Sequence, residues 1–451
     1  MNAKRVIVIA LMSVVIIHPV FAAMENLKIS GDITVQGIIR HLSLRKKWSS
    51  DDIWPSHDKS IFAFSQTRLK VDADLTENVS ATVRFINERL WGEEDTINTD
   101  VDLDLAYVEM KEFLYQPLTV IIGRQNLRYG NALIIGDPET NFFASAAVPT
   151  EAGDLSLRKS FDAIRAILDF SPYTIDFIYA KNFEGITDVN DDITLFGTNI
   201  AYHWGSRNGI TEVYFFGADN SPNTAIQPDE NQSKTYTVGA RVQYDPLEQL
   251  TLGVEGAYQF GDVVMQMPDA LAGGEYRHLN AFAAQVIADY RLPMKHDPSI
   301  GVTYTYLSGN DDDTDATDNA WDMLYEDQTP AEIINILFPN LNSNLQYATL
   351  RGSIMPREDV TIGASFTWAR FANKQAEFIA YMLGGPAFNN GYGIESENAH
   401  FGNEVDAYAV YDYTEDVRFK LNGAWFMPGS YFPLQNRSIA YSLRAGITVD
   451  F

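Results

Sequence analysis

Cysteine is absent from all 451 residues. That excludes a disulfide framework, a thiolate metal site and a cysteine nucleophile. Basic residues are scarce: 33 Lys+Arg stand against 60 Asp+Glu, a net charge of −27, so there is no broad cationic face to neutralise nucleic-acid phosphates. Long apolar runs are missing beyond the first 22 residues, and mean hydropathy is −0.16. A helical membrane bundle would need about 20 consecutive apolar residues for every span. His18, His41, His57, His203, His278, His296 and His400 show no metal-ligand spacing. No Gly-x-Ser-x-Gly occurs, and no nucleophile–base pair can be argued, so neither an enzyme nor a bound cofactor or metal is expected. What is abundant is hydrophobic (46%) and aromatic (12%) residues, enough to offset chain entropy and exclude disorder.

The one long apolar run lies at the start. Lys4 and Arg5 precede Val6–Ile17, and His18-Pro19-Val20-Phe21-Ala22 places small residues at the −3 and −1 positions of a cut after Ala22. Residues 1–22 therefore read as a secretory signal peptide. With no Cys beside the cut, a lipoprotein anchor is excluded. Residues 23–451 are expected to form one exported domain.

Within that domain the dominant pattern is period two. Ile29, Gly31, Ile33, Val35, Gly37 and Ile39 alternate with mostly polar residues, as do Leu69, Val71 and Ala73, and Val79, Ala81, Val83 and Phe85. Successive strand side chains point to opposite faces, so each segment has one oily and one wet face. About eighteen such segments run from 28–40 to 437–451, each near the 9–11 residues of a tilted membrane strand. Short connections with turn chemistry (Ser171-Pro172-Tyr173, Asp245-Pro246, Pro356–Asp359, Tyr413–Asp416) alternate with long ones (Asn126–Phe161, Gly217–Lys234, Gln259–Leu279, Ser308–Leu345, Asn373–Asn403). A transmembrane barrel makes that rule, with short periplasmic turns and long extracellular loops. The expected fold is thus an all-β, antiparallel up-and-down barrel of about eighteen strands in the outer membrane of a Gram-negative type cell. In lipid such a sheet must close, because an unpaired edge leaves backbone groups unsatisfied. Tyr173, Phe177, Tyr258, Tyr290, Tyr304, Phe366, Trp368 and Trp425 suit interfacial girdles. The final alternating strand stops on Phe451, which resembles the signal that outer-membrane barrels present to the barrel-assembly machinery.

A channel's chemistry lies on its inner face. Strand parity assigns to the lumen Arg40, Arg68, Lys70, Arg84, Arg124, Arg165, Arg241, Arg351, Arg418, Lys420 and Arg444. Eight of these arginines (Arg68, Arg84, Arg124, Arg165, Arg241, Arg351, Arg418 and Arg444) are the candidate lining of an anion pathway, since guanidinium binds carboxylate bidentately and stays charged. The opposing expectation is a balanced lumen, because Asp72, Glu88, Asp104, Asp169, Asp176, Glu212, Glu255 and Asp289 also face inward. The roughly 34-residue connection after Arg124 exceeds a plain surface loop; it either folds inward to narrow the pore or caps it from outside.

The run Gly123-Arg124-Gln125-Asn126-Leu127-Arg128-Tyr129-Gly130-Asn131-Ala132-Leu133-Ile134-Ile135-Gly136-Asp137, with Arg158-Lys159-Ser160-Phe161-Asp162-Ala163-Ile164-Arg165-Ala166, resembles the alginate-export family of outer-membrane proteins. The resemblance implies an eighteen-stranded monomeric porin-like barrel that passes an anionic uronate polymer through an Arg-rich lumen, with Arg124 and Arg165 as the matched arginines. One departure is plain. The family's best-known member covers its pore with a long periplasmic segment near the C-terminus, whereas Tyr413–Asp416 is short.

Polysaccharide transport thus competes with a general diffusion porin for small solutes and with a loop-displaying structural or adhesin protein. Asp311, Asp313, Asp315, Thr317, Asn319 and Asp322 fall at the spacing of an EF-hand loop, but Ala316 replaces its glycine and Asp322 its glutamate. A solvated acidic loop is the expectation there.

Overall fold

The computed structural model describes residues 26–42, 59–92, 101–138, 152–183, 192–220, 233–265, 275–310, 316–337, 343–373, 398–432 and 437–451. The proposed signal peptide lies outside them. The first half of the chain supplies β1 (Asn26–His41), β2 (Lys59–Thr76), β3 (Val79–Leu90), β4 (Asp102–Met110), β5 (Leu118–Asn126), β6 (Ser160–Asp169), β7 (Tyr173–Phe183), β8 (Ile193–His203) and β9 (Ile210–Asn220). Then come β10 (Ser233–Leu247), β11 (Leu250–Met265), β12 (Glu275–Arg291), β13 (Ser299–Leu307) and the two-residue β14 (Thr317–Asp318). The last five are β15 (Leu345–Arg357), β16 (Val360–Phe371), β17 (His400–Asp412), β18 (Val417–Pro428) and β19 (Ala440–Asp450).

Apart from β14, every strand pairs antiparallel with its sequence neighbours, and β1 pairs with both β2 and β19. The sheet is therefore a closed eighteen-strand barrel, as the alternation requires. At the seam Phe451 exchanges both backbone hydrogen bonds with Gly31, at 2.8 and 2.9 Å. Closure leaves no edge, the condition for a sheet in hydrocarbon. Ile33, Leu69, Phe85, Ile164, Val254, Leu350 and Leu421 all stand exposed on the outer face. The Tyr173 and Tyr202 rings pack at 4.9 Å, tilted by 37°, near the short-turn end, where amphipathic rings suit the membrane interface.

The inner face is divided along the barrel axis. Toward the short turns it is polar, with Arg68, Arg84, Arg165, Asp289 and Arg351. Toward the long loops it becomes apolar, with Ala180, Leu195, Phe216, Ala281 and Tyr347 buried in one cluster. The other half of that cluster is Leu127, Leu133, Ile135, Trp321, Tyr325, Ile333 and Ile334, all from the connections β5–β6 and β13–β15. Those long connections therefore fold into the lumen, and their apolar side chains are what the upper wall covers. Alternation had not revealed this second oily surface, because it belongs to no lipid-facing stripe.

Candidate functional site

Seven of the eight candidate arginines share the inward ladder face, and each meets a carboxylate. Arg68 Nε donates to Asp32 at 2.8 Å and Arg84 Nε to Asp104 at 2.5 Å. Arg165 Nε donates to Asp176 at 2.7 Å, with its guanidinium 5.7 Å from the Tyr129 ring centre. Arg241 Nη1 reaches Glu212 at 2.5 Å. Arg351 straddles Asp289, Nη2 lying 2.6 and 2.8 Å from its two oxygens. Arg418 Nε lies 2.6 Å from Asp412, and Arg444 Nη2 lies 2.6 Å from Glu332.

Arg124 is the exception. Its neighbours across the sheet are Ala106 and Asp162, and it alternates with Ile122, which faces Ile164. Ile122, Ile164 and Asp162 are outward and exposed, so Arg124 sits on the outer face, 3.4 Å from Asp162. Two features misled the sequence reading. Ile121 and Ile122 make both faces of β5 oily, and the bar on outward charge relaxes near the interface, where the cost drops to about 0–1 kcal/mol. Arg124 lies two residues from the loop end of β5, paired with Asp162.

Among the inward acids, Glu88, Asp104, Asp176, Glu212 and Glu255 are buried. Several hold an inserted segment to the wall instead of lining a free pore. Residues 127–137 reach across the lumen: Tyr129 Oη donates to Asp176 at 2.9 Å, Asn131 N–H to Glu255 at 3.0 Å and Asn131 Nδ2 to Gln285 at 3.0 Å. Residues 152–158 line the opposite wall. Asp154 accepts both nitrogens of Arg40 (3.0 and 2.6 Å), while Glu88 accepts Ser156 Oγ (2.9 Å) and Leu157 N–H (2.8 Å).

The third insertion, 321–337, ends in the short helix α1 (Glu332–Leu337). The N–H groups of Ile333 and Ile334 in its first turn donate to the two oxygens of Glu404 on β17, at 2.6 and 2.9 Å. That satisfies donors which a helix end leaves open. The first and third insertions also join each other. Tyr325 N–H donates to Ile134 O (3.0 Å), Gly136 N–H to Tyr325 O (2.7 Å) and Asp327 N–H to Ala132 O (3.0 Å). Together they partition the lumen. No sequence signal marked them beyond the length of their connections.

On the short-turn side of the partition lies a vestibule of about 540 Å³. Arg351, Arg444, Asp154, Asp289, Glu332 and Asp406 face it, amid a hydroxyl- and amide-rich wall that includes Ser299, Thr303, Thr349, Ser365, Asn335 and Asn422. Four carboxylates thus meet two guanidiniums. Lys420, on the same inward face of β18, has no ion pair among the described residues. The EF-hand spacing does not survive as a loop of ligands. Asp311, Asp313 and Asp315 lie outside the described residues, Thr317 pairs with His278 in β14, and Asp322 accepts Thr235 Oγ1 at 2.8 Å and Leu324 N–H at 3.1 Å. Asp322 is buried against the wall instead of solvated, and burial pushes its carboxyl above the usual range.

A closed eighteen-strand barrel with inserted loops constricting a polar bore is the architecture of an outer-membrane porin. Barrels of similar fold include three solved porin-like structures. OccK11 (OpdR) of Pseudomonas aeruginosa has a TM-score of 0.53 at 8% identity, covering 94% of this chain and 96% of its own. OccD3 (OpdP) of the same organism has 0.53 at 12%, covering 95% and 93%. A BenF-like porin from Pseudomonas fluorescens Pf-5 has 0.53 at 10%, covering 95% and 99%. No curated protein matches the chain. The model of the alginate-export family matches residues 56–447, and the chain belongs to that family. It is an outer-membrane channel protein.

Proposed function

We propose that the channel carries a carboxylate-bearing saccharide, a uronate polymer or its fragments, through the lumen without a covalent step. The observation that carries this reading is the vestibule, where Arg351 and Arg444 border an open volume and each is held by a carboxylate, Asp289 or Glu332. An arriving uronate can exchange with that carboxylate, so the guanidinium passes from one anion to the next without being desolvated alone. Surrounding hydroxyls and amides suit sugar hydroxyls. Weak sites in series let a polymer move without being trapped. The same reading takes residues 1–22 as cleaved on export, Phe451 as the contact for the assembly machinery, and the barrel as a monomer.

A general diffusion porin is the second reading, favoured by the excess of acids over bases in the vestibule. Reversal potentials in a salt gradient separate the two, combined with block by trigalacturonate against neutral maltotriose. The uronate path requires block by the acid and little by the neutral sugar. Arg351→Ser with Arg444→Ser should raise the half-blocking concentration at least tenfold, while Arg124→Ser leaves it unchanged. Cation preference without trigalacturonate block would leave the general porin.

A further inference from the structure

Two cations of the central sequence motif, Arg128 and Lys159, take no part in the wall. Both converge on one carboxylate, Asp327 of the third insertion: Arg128 Nη1 on one oxygen and Lys159 Nζ on the other. Lys159 also lies 3.6 Å from Asp137. The first and third insertions, already joined by backbone hydrogen bonds and by Gln328 Nε2 donating to Asn131 O at 2.5 Å, are thus tied by charge to each other and to the residue that precedes β6. Gly136 makes the approach possible. A Cβ there would stand 2.6 Å from Asp327 Cβ and 2.7 Å from Ala132 Cβ.

The tie is reachable. The Arg128 side chain is 54% exposed and that of Lys159 35% exposed, against 19% for Asp327. It also holds strained backbone, since Ala132 (φ 57°) on one segment and Leu324 (φ 48°) on the other adopt the left-handed region without being glycine. Such conformations persist where surrounding contacts impose them. Release of those contacts relieves that strain.

We propose that Arg128 and Lys159 form a binding subsite for a substrate carboxylate, filled in the closed channel by the chain's own Asp327, and that capture of these cations by substrate frees the third insertion and opens the partition. The inference rests on the acidic-saccharide reading and adds its regulation. One carboxylate replaces another, so charge balance at the two cations is unchanged, and the shift to the open arrangement equals the ligand's preference for it. A neutral solute cannot make the exchange. The passage therefore opens for the class of solute it carries.

The test uses the full-length channel in planar bilayers, with glutarate as the probe because it has carboxylates and no sugar. Asp327→Asn removes the internal competitor. It should raise unit conductance several-fold and lower the glutarate concentration for half effect about tenfold. Adding Arg128→Gln and Lys159→Gln to that variant should abolish the glutarate effect while conductance stays high. A second arm exploits the lack of native cysteine. Ile135→Cys with Tyr325→Cys should lock the partition under oxidation and release it on reduction. Unchanged conductance and glutarate response in Asp327→Asn would overturn the latch. If glutarate acts and trigalacturonate does not, the latch stands and the saccharide reading falls.

Discussion

The wall and the partition bury comparable side chains by opposite means. On the wall, Val254 or Leu421 faces lipid, its neighbours in sequence face inward, and the ladder bonds all backbone groups whatever the side chains are. In the partition, Leu133, Ile135, Trp321 and Ile333 are packed by a fit between two connections and the inner face, and their backbone depends on particular partners such as Glu404 and Glu255. The contrast separates two tasks. A periodic surface makes a stable ring in a membrane, and an aperiodic one decides what passes.

The largest expected effect comes from removing the aperiodic part. Replacing residues 321–337 with a Gly-Ser linker should raise single-channel conductance several-fold, while the protein remains heat-modifiable on gels because the strand ladder is intact. A barrel that no longer shifts on heating would show that the partition also holds the wall. Next in size is damage to the wall alone. Val254→Arg puts a charge on the outer face of β11, costing about 2–4 kcal/mol if it lies at the bilayer midplane, measured by urea unfolding in vesicles, with conductance unaltered in the folded fraction.

The smallest effect sharpens the boundary between the two regions through pH. Burial works to raise the Asp327 carboxyl, but the bonds from Lys159 and Arg128 outweigh it and hold the group below the usual range. A depressed carboxyl contributes stability above its unfolded value, about 3.9, and loses it as pH falls through the lower folded value. Closed dwell times should therefore be flat from pH 7 to about 5 and shorten only below about pH 4. Asp327→Asn should abolish that dependence.

How much was legible follows from the same contrast. Alternation marks the barrel strands, least clearly β5, and β3 (Val79–Leu90) lies where alternation places it. Lipid on one side and water on the other enforce period two. Ile135, Tyr325 and Ile334 carried no such signal, because a segment buried on several sides by unrelated neighbours has no period to reveal. Parity read Arg165 and Arg351 inward, where the ladder places them, and failed for Arg124, where β5 is oily on both faces and close to its loop end. Pairing was the other gap. Asp289 and Asp176 were read as inward acids, but which guanidinium each would meet depends on register and on insertions, both set by tertiary structure.

The partition also implies an order of events. Its contacts join distant parts of the chain: Gln328 bonds Asn131 across 197 positions, and Glu332 bonds Arg444, on the last strand, across 112. Contacts of that separation carry a larger loop-closure cost than the local hairpins, and the Arg444 anchor lies on β19, the strand that closes the ring against β1. By that cost the ring is expected to seal before the passage does. The consequence is a transient leak: conductance recorded during refolding into bilayers is expected to start at the level of an unplugged bore and fall as 321–337 docks.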